Sequence, residues 1–113
     1  IFVDFHAEAT SEKKAMGHYL TGRVTAMFGT HTHVQTADAA ILGGRTGYIT
    51  DAGMTGVEDS VLGVKKEIAM DRLRLHVPIR FEEAQGDCFL NGVLVEFNEK
   101  TGNCNKIESI FVR

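Results

Sequence analysis

The sequence predicts a mixed α/β fold that ends in an antiparallel hairpin, and the order of three patterns indicates it. Residues 1–6 and 24–29 are apolar runs of strand length, and a segment with helical spacing lies between them. A strand, a short helix and a strand in this order are typical of a right-handed crossover between parallel strands. A second helical segment occupies residues 65–75, and from residue 80 onward the pattern changes to that of strands.

The opening strand and helix are each marked by local signals. Residues 1–6 are predicted to form a buried strand because they are mostly apolar. The helix is predicted to begin near Thr10 or Ser11, whose hydroxyl groups can accept free backbone N–H groups, with Glu12 complementing the positive helix end. Gly22 is a natural end for this helix. Its apolar residues fall at helical spacing: Ala15, Met16, Tyr19 and Leu20.

Short strands and a loop are predicted in the middle of the chain. Residues 41–42 and 47–50 are short strand-like segments on either side of Gly43 and Gly44, which favour a turn. Residues 51–63 contain three glycines and are predicted to form an ordered loop.

The second half is predicted as one helix followed by a hairpin. The helix over residues 65–75 ends before Pro78. Residues 93–97 form a strong strand pattern, residues 98–105 contain turn residues, and residues 107–112 alternate between two faces. The apolar positions of the helix include Ile68, Leu73 and Leu75.

The composition limits the classes of partner. The formal net charge of −3 argues against a general nucleic-acid or membrane surface, whereas a small phosphorylated ligand stays compatible with it. No apolar run reaches the ~20 residues that span a bilayer. Cys88 and Cys104 lack the C-x-x-C spacing, so we expect two reduced, partly buried cysteines in a cytoplasmic protein.

The chain begins at Ile1, without an initiator methionine and already inside a strand-like run. We therefore expect residues 1–113 to be the later part of a longer protein.

Three histidines lie where two of the predicted strands end. His6 closes the first apolar run, and His31 and His33 follow the second. Because α/β sheets bind ligands beyond their strand ends, these three side chains are candidate metal ligands. Neutral imidazole suits zinc, iron, nickel and copper, and with added carboxylates it also suits manganese. His18 and His76 lie in helical stretches and are interpreted as surface or capping residues.

Longer motifs surround these histidines and carry a resemblance to one family. They are DFHAEATSEK at residues 4–13, GTHTHVQTAD at residues 29–38 and YITDAGMTG at residues 48–56, with DSV at residues 59–61. They resemble the late motifs of the YmdB-like metallophosphoesterases, a calcineurin-like branch described as 2′,3′-cyclic-nucleotide 2′-phosphodiesterases. Residues 4–6 also have the form Asp-x-His, which is the early signature of that superfamily. They are not that early signature, because no Gly-Asn-His motif follows them in this chain.

The resemblance implies a fold and a cofactor. The family has a four-layer α/β/β/α sandwich, and residues 1–113 would form the C-terminal part of that single domain, without its N-terminal half. A dinuclear metal site is also implied, with iron or manganese as the usual ions and zinc as a further option. By motif, His6 and His31 would ligate one metal ion and His33 the other. The family's bridging carboxylate, asparagine ligand and catalytic histidine are upstream, so no catalytic residue is implied within this chain.

Four further residues are candidate supporting groups: Asp4, Thr30, Thr32 and Asp38. Asp4 shares a strand face with His6, and ligating histidines commonly donate their second N–H group to an outer oxygen atom. For the two threonines and Asp38, hydrogen bonding within turns and loops is an equally good interpretation.

The resemblance thus implies a metal-dependent phosphodiesterase or phosphatase that acts on 2′,3′-cyclic nucleotides or related phosphoesters, with the isolated chain inactive. Two alternatives stay open: a mononuclear zinc hydrolase with three histidine ligands, and a non-catalytic binding or assembly module. The expected partners are the substrate, the missing N-terminal half and further copies of the chain in a homo-oligomer. Neither a membrane nor a general nucleic-acid partner is expected.

Overall fold

The computed structural model describes all 113 residues and confirms the mixed α/β class, with two helices and two sheets. The elements in chain order are β1 Phe2–His6, α1 Thr10–Leu20, β2 Ala26–Thr30, β3 Ala40–Leu42, β4 Thr46–Ile49, β5 Thr55–Val57, α2 Lys66–Leu75, β6 Cys88–Phe97 and β7 Cys104–Val112. The chain divides into two compact units. The first comprises Ile1–Met54 and Asn91–Ile110, and the second comprises Thr55–Leu90 and Phe111–Arg113.

A four-stranded sheet in the order β1-β2-β4-β3 lies in the first unit. β1 and β2 are parallel, with Phe2 opposite Ala26 and His6 opposite Thr30, and α1 connects them. This confirms the predicted crossover between parallel strands. β4 pairs parallel with β2 and antiparallel with β3. Because β1 and β2 run in the same direction, their carboxyl ends meet at one edge of the sheet.

The α1 helix begins and ends close to the predicted positions but buries a different face. Its N-cap is Ala9 and no side chain caps it, so the prediction of a Thr10 or Ser11 cap is wrong, because both residues already lie in the first helical turn. Lys13 and Gly17 are the buried residues, whereas Tyr19 is 67% exposed. The predicted apolar stripe therefore does not form the buried face of the helix.

Close approach between α1 and the sheet explains the buried glycine of the helix. A side chain at Gly17 would come within 2.5 Å of the Tyr48 ring, so only glycine lets the helix lie against β4. On the opposite face of β4, a side chain at Gly47 would come within 2.9 Å of the Cys104 sulfur. β4 is accordingly buried along its whole length, between α1 on one face and β7 on the other.

The β1 strand is less buried than predicted. Its residues alternate between exposed and half-buried, and Phe2 is 50% exposed. The prediction of a buried strand is wrong because β1 lies at the edge of the sheet. An edge strand has a neighbouring strand on one side alone, so an apolar sequence does not by itself make it a core strand.

The second unit contains a strand that the local pattern did not indicate. Residues 51–63 were predicted as a loop, but β5 forms within them and pairs antiparallel with Cys88–Leu90 at the start of β6. Three residues are too few to show strand periodicity, and their partner lies more than thirty positions further along the chain.

The α2 helix confirms the predicted helix over residues 65–75. It ends at His76, which adopts the left-handed conformation with φ 53° and donates its N–H group to the carbonyl of Arg72, so the capping role of His76 is confirmed. Ala69 is the buried residue of the helix, whereas Leu73 is 73% exposed. The predicted apolar positions near the end of the helix therefore face solvent.

Neither helix of the chain has the length and apolar character needed to cross a membrane.

The closing hairpin is confirmed, with β6 and β7 joined by a turn that Asn98 organises. Its carboxamide oxygen accepts N–H groups of Lys100 and Thr101, and Gly102 takes a positive φ of 74°.

Both cysteines are free: Cys88 is exposed and Cys104 is buried. Burial raises the pKa of the Cys104 thiol.

Two carboxylates tie the segment after β2 to the end of β4. Asp51 accepts hydrogen bonds from Lys13 and from the N–H groups of Thr32 and Gly53. Asp38 accepts from the Thr50 N–H group and hydroxyl. Burial raises the pKa of each carboxyl group, but these donors outweigh burial and hold both pKa values below the ordinary range.

These lowered pKa values predict a loss of stability in acid. Each carboxylate contributes stability that is complete above its unfolded pKa of about 3.9 and is lost as the pH falls through the folded pKa. We expect the free energy of unfolding to be nearly constant above about pH 5 and to fall below about pH 4, measured by urea denaturation. The Asp38→Asn variant should show a shallower fall. Stability that rises on acidification would contradict this account.

Candidate metal centre

The parallel pairing of β1 with β2 creates the site at their carboxyl ends. His6 is the last residue of β1 and lies opposite Thr30, the last residue of β2. His31 follows directly, where the chain leaves the sheet. The register of two parallel strands thus brings together residues that are 24 and 25 positions apart in the sequence.

The rings of His6 and His31 meet at this edge of the sheet in a T-shaped arrangement. The His6 Nε2 and His31 Nδ1 atoms form a hydrogen bond with a separation of 3.1 Å, and the ring tautomers decide which nitrogen donates. The ring centroids are 5.0 Å apart and the planes meet at 84°. Both residues are exposed, so a ligand can reach the two nitrogen atoms from solvent.

The separation of these nitrogen atoms fits two ligands of one metal ion. Two nitrogens, each about 2.1 Å from a common ion, are ~3.0 Å apart at a right angle and ~3.4 Å apart at a tetrahedral angle. The observed 3.1 Å lies between these values. Imidazole nitrogen is also a ligand that zinc, iron and manganese sites accept.

His33 is not part of this pair. Its ring makes no hydrogen bond or ring contact with His6 or His31. Across the chain, no three His, Cys, Asp or Glu side chains lie close enough to hold a single metal ion. The structure therefore brings together two of the three predicted histidines and leaves the third exposed in the same loop.

The loop that carries the histidines has an unusual backbone. His31 has φ 119° and His33 has φ 66°, and neither is glycine. A positive φ costs a residue with a side chain about 1–3 kcal/mol and persists where the surroundings enforce it. Such outliers concentrate at functional sites, which motivates a functional interpretation of this loop.

A buried ion pair anchors this loop through one backbone N–H group. The Lys13 Nζ atom lies 2.8 Å from the Asp51 Oδ2 atom, and both side chains are fully buried. The same oxygen accepts the Thr32 N–H group at 3.0 Å, between the two strained histidines. Asp51 thus connects α1, the histidine loop and the end of β4.

A glycine in β2 makes room for the ion pair. A side chain at Gly29 would come within 1.8 Å of the Thr50 carbonyl oxygen and 2.9 Å of the Lys13 stem. Glycine is therefore required where Lys13 passes β2 on its way to Asp51.

The predicted supporting residues separate into two groups. The Thr30 hydroxyl donates to the Asp4 Oδ1 atom at 2.8 Å, and its oxygen lies 3.1 Å from the His6 Nδ1 atom, from which it can accept a hydrogen bond. Thr32 hydrogen-bonds to the backbone of Val34, and Asp38 bonds Thr50 and Lys14. The first group touches a histidine ring, whereas Thr32 and Asp38 stabilise the loop.

Sequence reasoning missed Lys13 and Asp51, although both lie inside the quoted motifs. A lysine in a helix normally indicates a solvated face. The spacing of Lys13 and Gly17, which are four residues apart, was the available signal that they share a face.

Comparison with known proteins places this geometry in context. The sequence profile of the YmdB-like protein family matches residues 1–110. The chain is 51% identical over 112 residues to the 2′,3′-cyclic-nucleotide 2′-phosphodiesterase of Bacillus subtilis (strain 168), covering 99% of this chain and 42% of that protein.

Two solved structures are similar to this chain. One is a hypothetical protein from Thermus thermophilus, with a TM-score of 0.91 and 41% identity, covering 98% of this chain and 43% of the other. Another is a novel phosphatase from Mycoplasma pneumoniae, with a TM-score of 0.90 and 41% identity, covering 96% of this chain and 39% of the other.

The fold and the histidine pair define an α/β protein with a candidate metal centre at the ends of parallel strands. Because the family profile matches nearly the whole chain, this protein belongs to the YmdB-like family. The chain spans about two fifths of the length of the curated relative that it matches.

The buried ion pair yields a prediction with a matched control. Lys13→Met leaves the Asp51 carboxylate buried without its cation, so we expect a loss of about 3–5 kcal/mol in the free energy of unfolding. Lys14→Met removes the neighbouring lysine, whose partner Asp38 and whose own side chain are partly exposed. That change should cost at most about 1 kcal/mol. Urea denaturation of both variants measures the difference, and equal losses would contradict the role given to Lys13.

Proposed function

We propose that this chain carries the metal-binding histidines of a metal-dependent phosphodiesterase or phosphatase, and that the intact protein hydrolyses 2′,3′-cyclic nucleotides or related phosphoesters. The observation that carries the proposal is the 3.1 Å approach of His6 Nε2 to His31 Nδ1 at the carboxyl ends of parallel strands. The names of the Bacillus subtilis relative and the Mycoplasma pneumoniae structure support the class of reaction.

The proposed roles of the histidines come from the family motif, and the contact between His6 and His31 supports the roles of those two. His6 and His31 hold one metal ion, and His33, two residues further along the strained loop, serves a second. Iron or manganese is the expected metal, with zinc as a further option. Bound metal ions would supply charge stabilisation for the phosphate oxygens and lower the pKa of a bound water molecule. The chain's own part is to orient the imidazole nitrogens, through the strand register and the Asp51 anchor.

The chain alone is proposed to be inactive. Its histidines are neutral ligands, and a dinuclear site needs an anionic bridge that they do not provide. The bridging carboxylate and the catalytic histidine of the family are proposed to come from the part of an intact protein that precedes these motifs. A mononuclear site with three histidines is disfavoured, because no three ligand side chains converge.

The proposal is tested by replacing histidines in the intact protein. His31→Ala and His33→Ala should each remove most turnover of a 2′,3′-cyclic nucleotide with added manganese, through the loss of a metal ligand. His18→Ala is the matched control, since His18 is exposed near the end of α1 and should leave turnover unchanged. Metal content is measured beside activity. Full turnover in the His31→Ala and His33→Ala variants would favour a non-catalytic binding or assembly module.

We also propose that the isolated chain associates, either with itself or with the rest of an intact protein. β1 is an edge strand with a free row of backbone groups, and Ile1 and Phe2 are 78% and 50% exposed beside it. An exposed apolar edge strand favours pairing with another chain.

Association through this edge predicts which substitution reduces it. Phe2→Lys should lower the mass measured by light scattering, because a charged residue at an edge strand opposes pairing. Leu73→Lys replaces an apolar residue on α2 that is even more exposed, at 73%, and should change the mass little. A monodisperse monomer for the unmodified chain would refute the proposed association.

A further inference from the structure

We propose that Asp4 and Thr30 are positioning residues that fix the tautomer and the orientation of His6. Asp4 acts through the Thr30 hydroxyl, so that His6 carries its proton on Nδ1 and presents an unprotonated Nε2 toward His31. The tautomer assignment stands on hydrogen-bond geometry alone, and its value for metal binding rests on the proposed function.

The first step is the direction of the hydrogen bonds at Thr30. A threonine hydroxyl has one proton to donate, and a carboxylate can only accept. The Thr30 proton therefore goes to the Asp4 Oδ1 atom, at 2.8 Å. The His6 Nδ1 atom lies 3.1 Å from the same hydroxyl oxygen, which has only acceptor capacity left. His6 must then donate an Nδ1–H group, and its Nε2 atom keeps the lone pair.

The second step is the reason that a threonine lies between the carboxylate and the imidazole. Asp4 and His6 are two residues apart on one strand, which separates them by about 6–7 Å along the chain. Thr30 lies opposite His6 on the adjacent strand. Its hydroxyl fills the gap that the short aspartate side chain leaves, so the bridge follows from the parallel register of β1 and β2.

The third step is the effect on the ring. His6 is exposed, and without a partner its imidazole could rotate and exchange tautomers. The bridge to a charged acceptor orders the ring, because hydrogen bonds to ionised groups are about twice as strong as neutral ones. The Nε2 lone pair then accepts a hydrogen bond from the His31 Nδ1–H group, 3.1 Å away, and a metal ion bound there would take the place of that proton. Outer partners of this kind raise ligand basicity and change metal affinity by about 10–100-fold.

The test uses the 113-residue chain and two readouts. Nitrogen-15 NMR of the metal-free chain, about two pH units above the ordinary histidine pKa of about 6.5, reports the His6 tautomer. Titration with zinc chloride reports affinity. We expect the Nδ1–H tautomer in the unmodified chain, a shift toward Nε2–H in Thr30→Val, and zinc binding weakened by about 10–100-fold in that variant.

Conservative variants separate positioning from a structural role. Thr30→Ser keeps the hydroxyl and should restore both readouts. Asp4→Asn keeps an acceptor for Thr30 but removes the charge, so the tautomer should persist while zinc affinity falls. Thr55→Val is the matched control, because Thr55 is exposed in β5, within the second unit, and its replacement should leave both readouts unchanged.

The outcomes distinguish this inference from the proposed function. An Nε2–H tautomer in the unmodified chain, or an unchanged tautomer in Thr30→Val, overturns the positioning role. If the tautomer follows the expected series but the unmodified chain binds no zinc, the positioning role stands, and the claim that His6 and His31 bind a metal ion within this chain is overturned.

Discussion

The buried ion pair between Lys13 and Asp51 is the interaction on which the histidine edge of the sheet depends. Removing two charges from water is unfavourable unless further hydrogen bonds satisfy them. Asp51 meets this condition, because its two oxygens accept N–H groups from Thr32 and Gly53 in addition to the lysine. Three segments that are distant in sequence are thereby fixed to one carboxylate. A hydrophobic contact could not do this, since it has no directional preference.

The ion pair also determines which residues the surrounding elements can use. Lys13 passes β2 at a position where only glycine fits, and α1 approaches β4 at another glycine, Gly17. With helix and strands in close contact, the loop after β2 has little freedom. Its N–H group at Thr32 donates to Asp51, between the positive φ values of His31 and His33. The free energy stored in the loop is therefore offset by the packing beneath it.

Local sequence patterns were sufficient for most of the regular elements and for placing the histidines at strand ends. The crossover of β1, α1 and β2, the α2 helix with its His76 cap and the closing hairpin follow from periodicity and turn residues. The exposure of β1 and the short β5 could not be predicted, because both depend on which strands lie alongside.

Only part of the candidate site could be predicted, because its contacts also depend on which strands lie side by side. Strand ends located His6 and His31, but the contact between their nitrogen atoms depends on the register of two strands. The burial of Lys13 contradicts the usual behaviour of lysine and becomes understandable only when Asp51 is found beside it. The position of Thr30 between Asp4 and His6 likewise requires the pairing of β1 with β2.

The positive φ values at His31 and His33 place the stability of the fold in conflict with the chemistry of the site. Glycine adopts such backbone angles without a steric penalty, so it is the residue that the backbone alone would favour at both positions. Selection for thermal stability by itself would therefore tend to erase the two imidazoles. Because histidines occupy two positions suited to glycine, substitutions chosen for stability alone would remove the candidate metal ligands of this loop first.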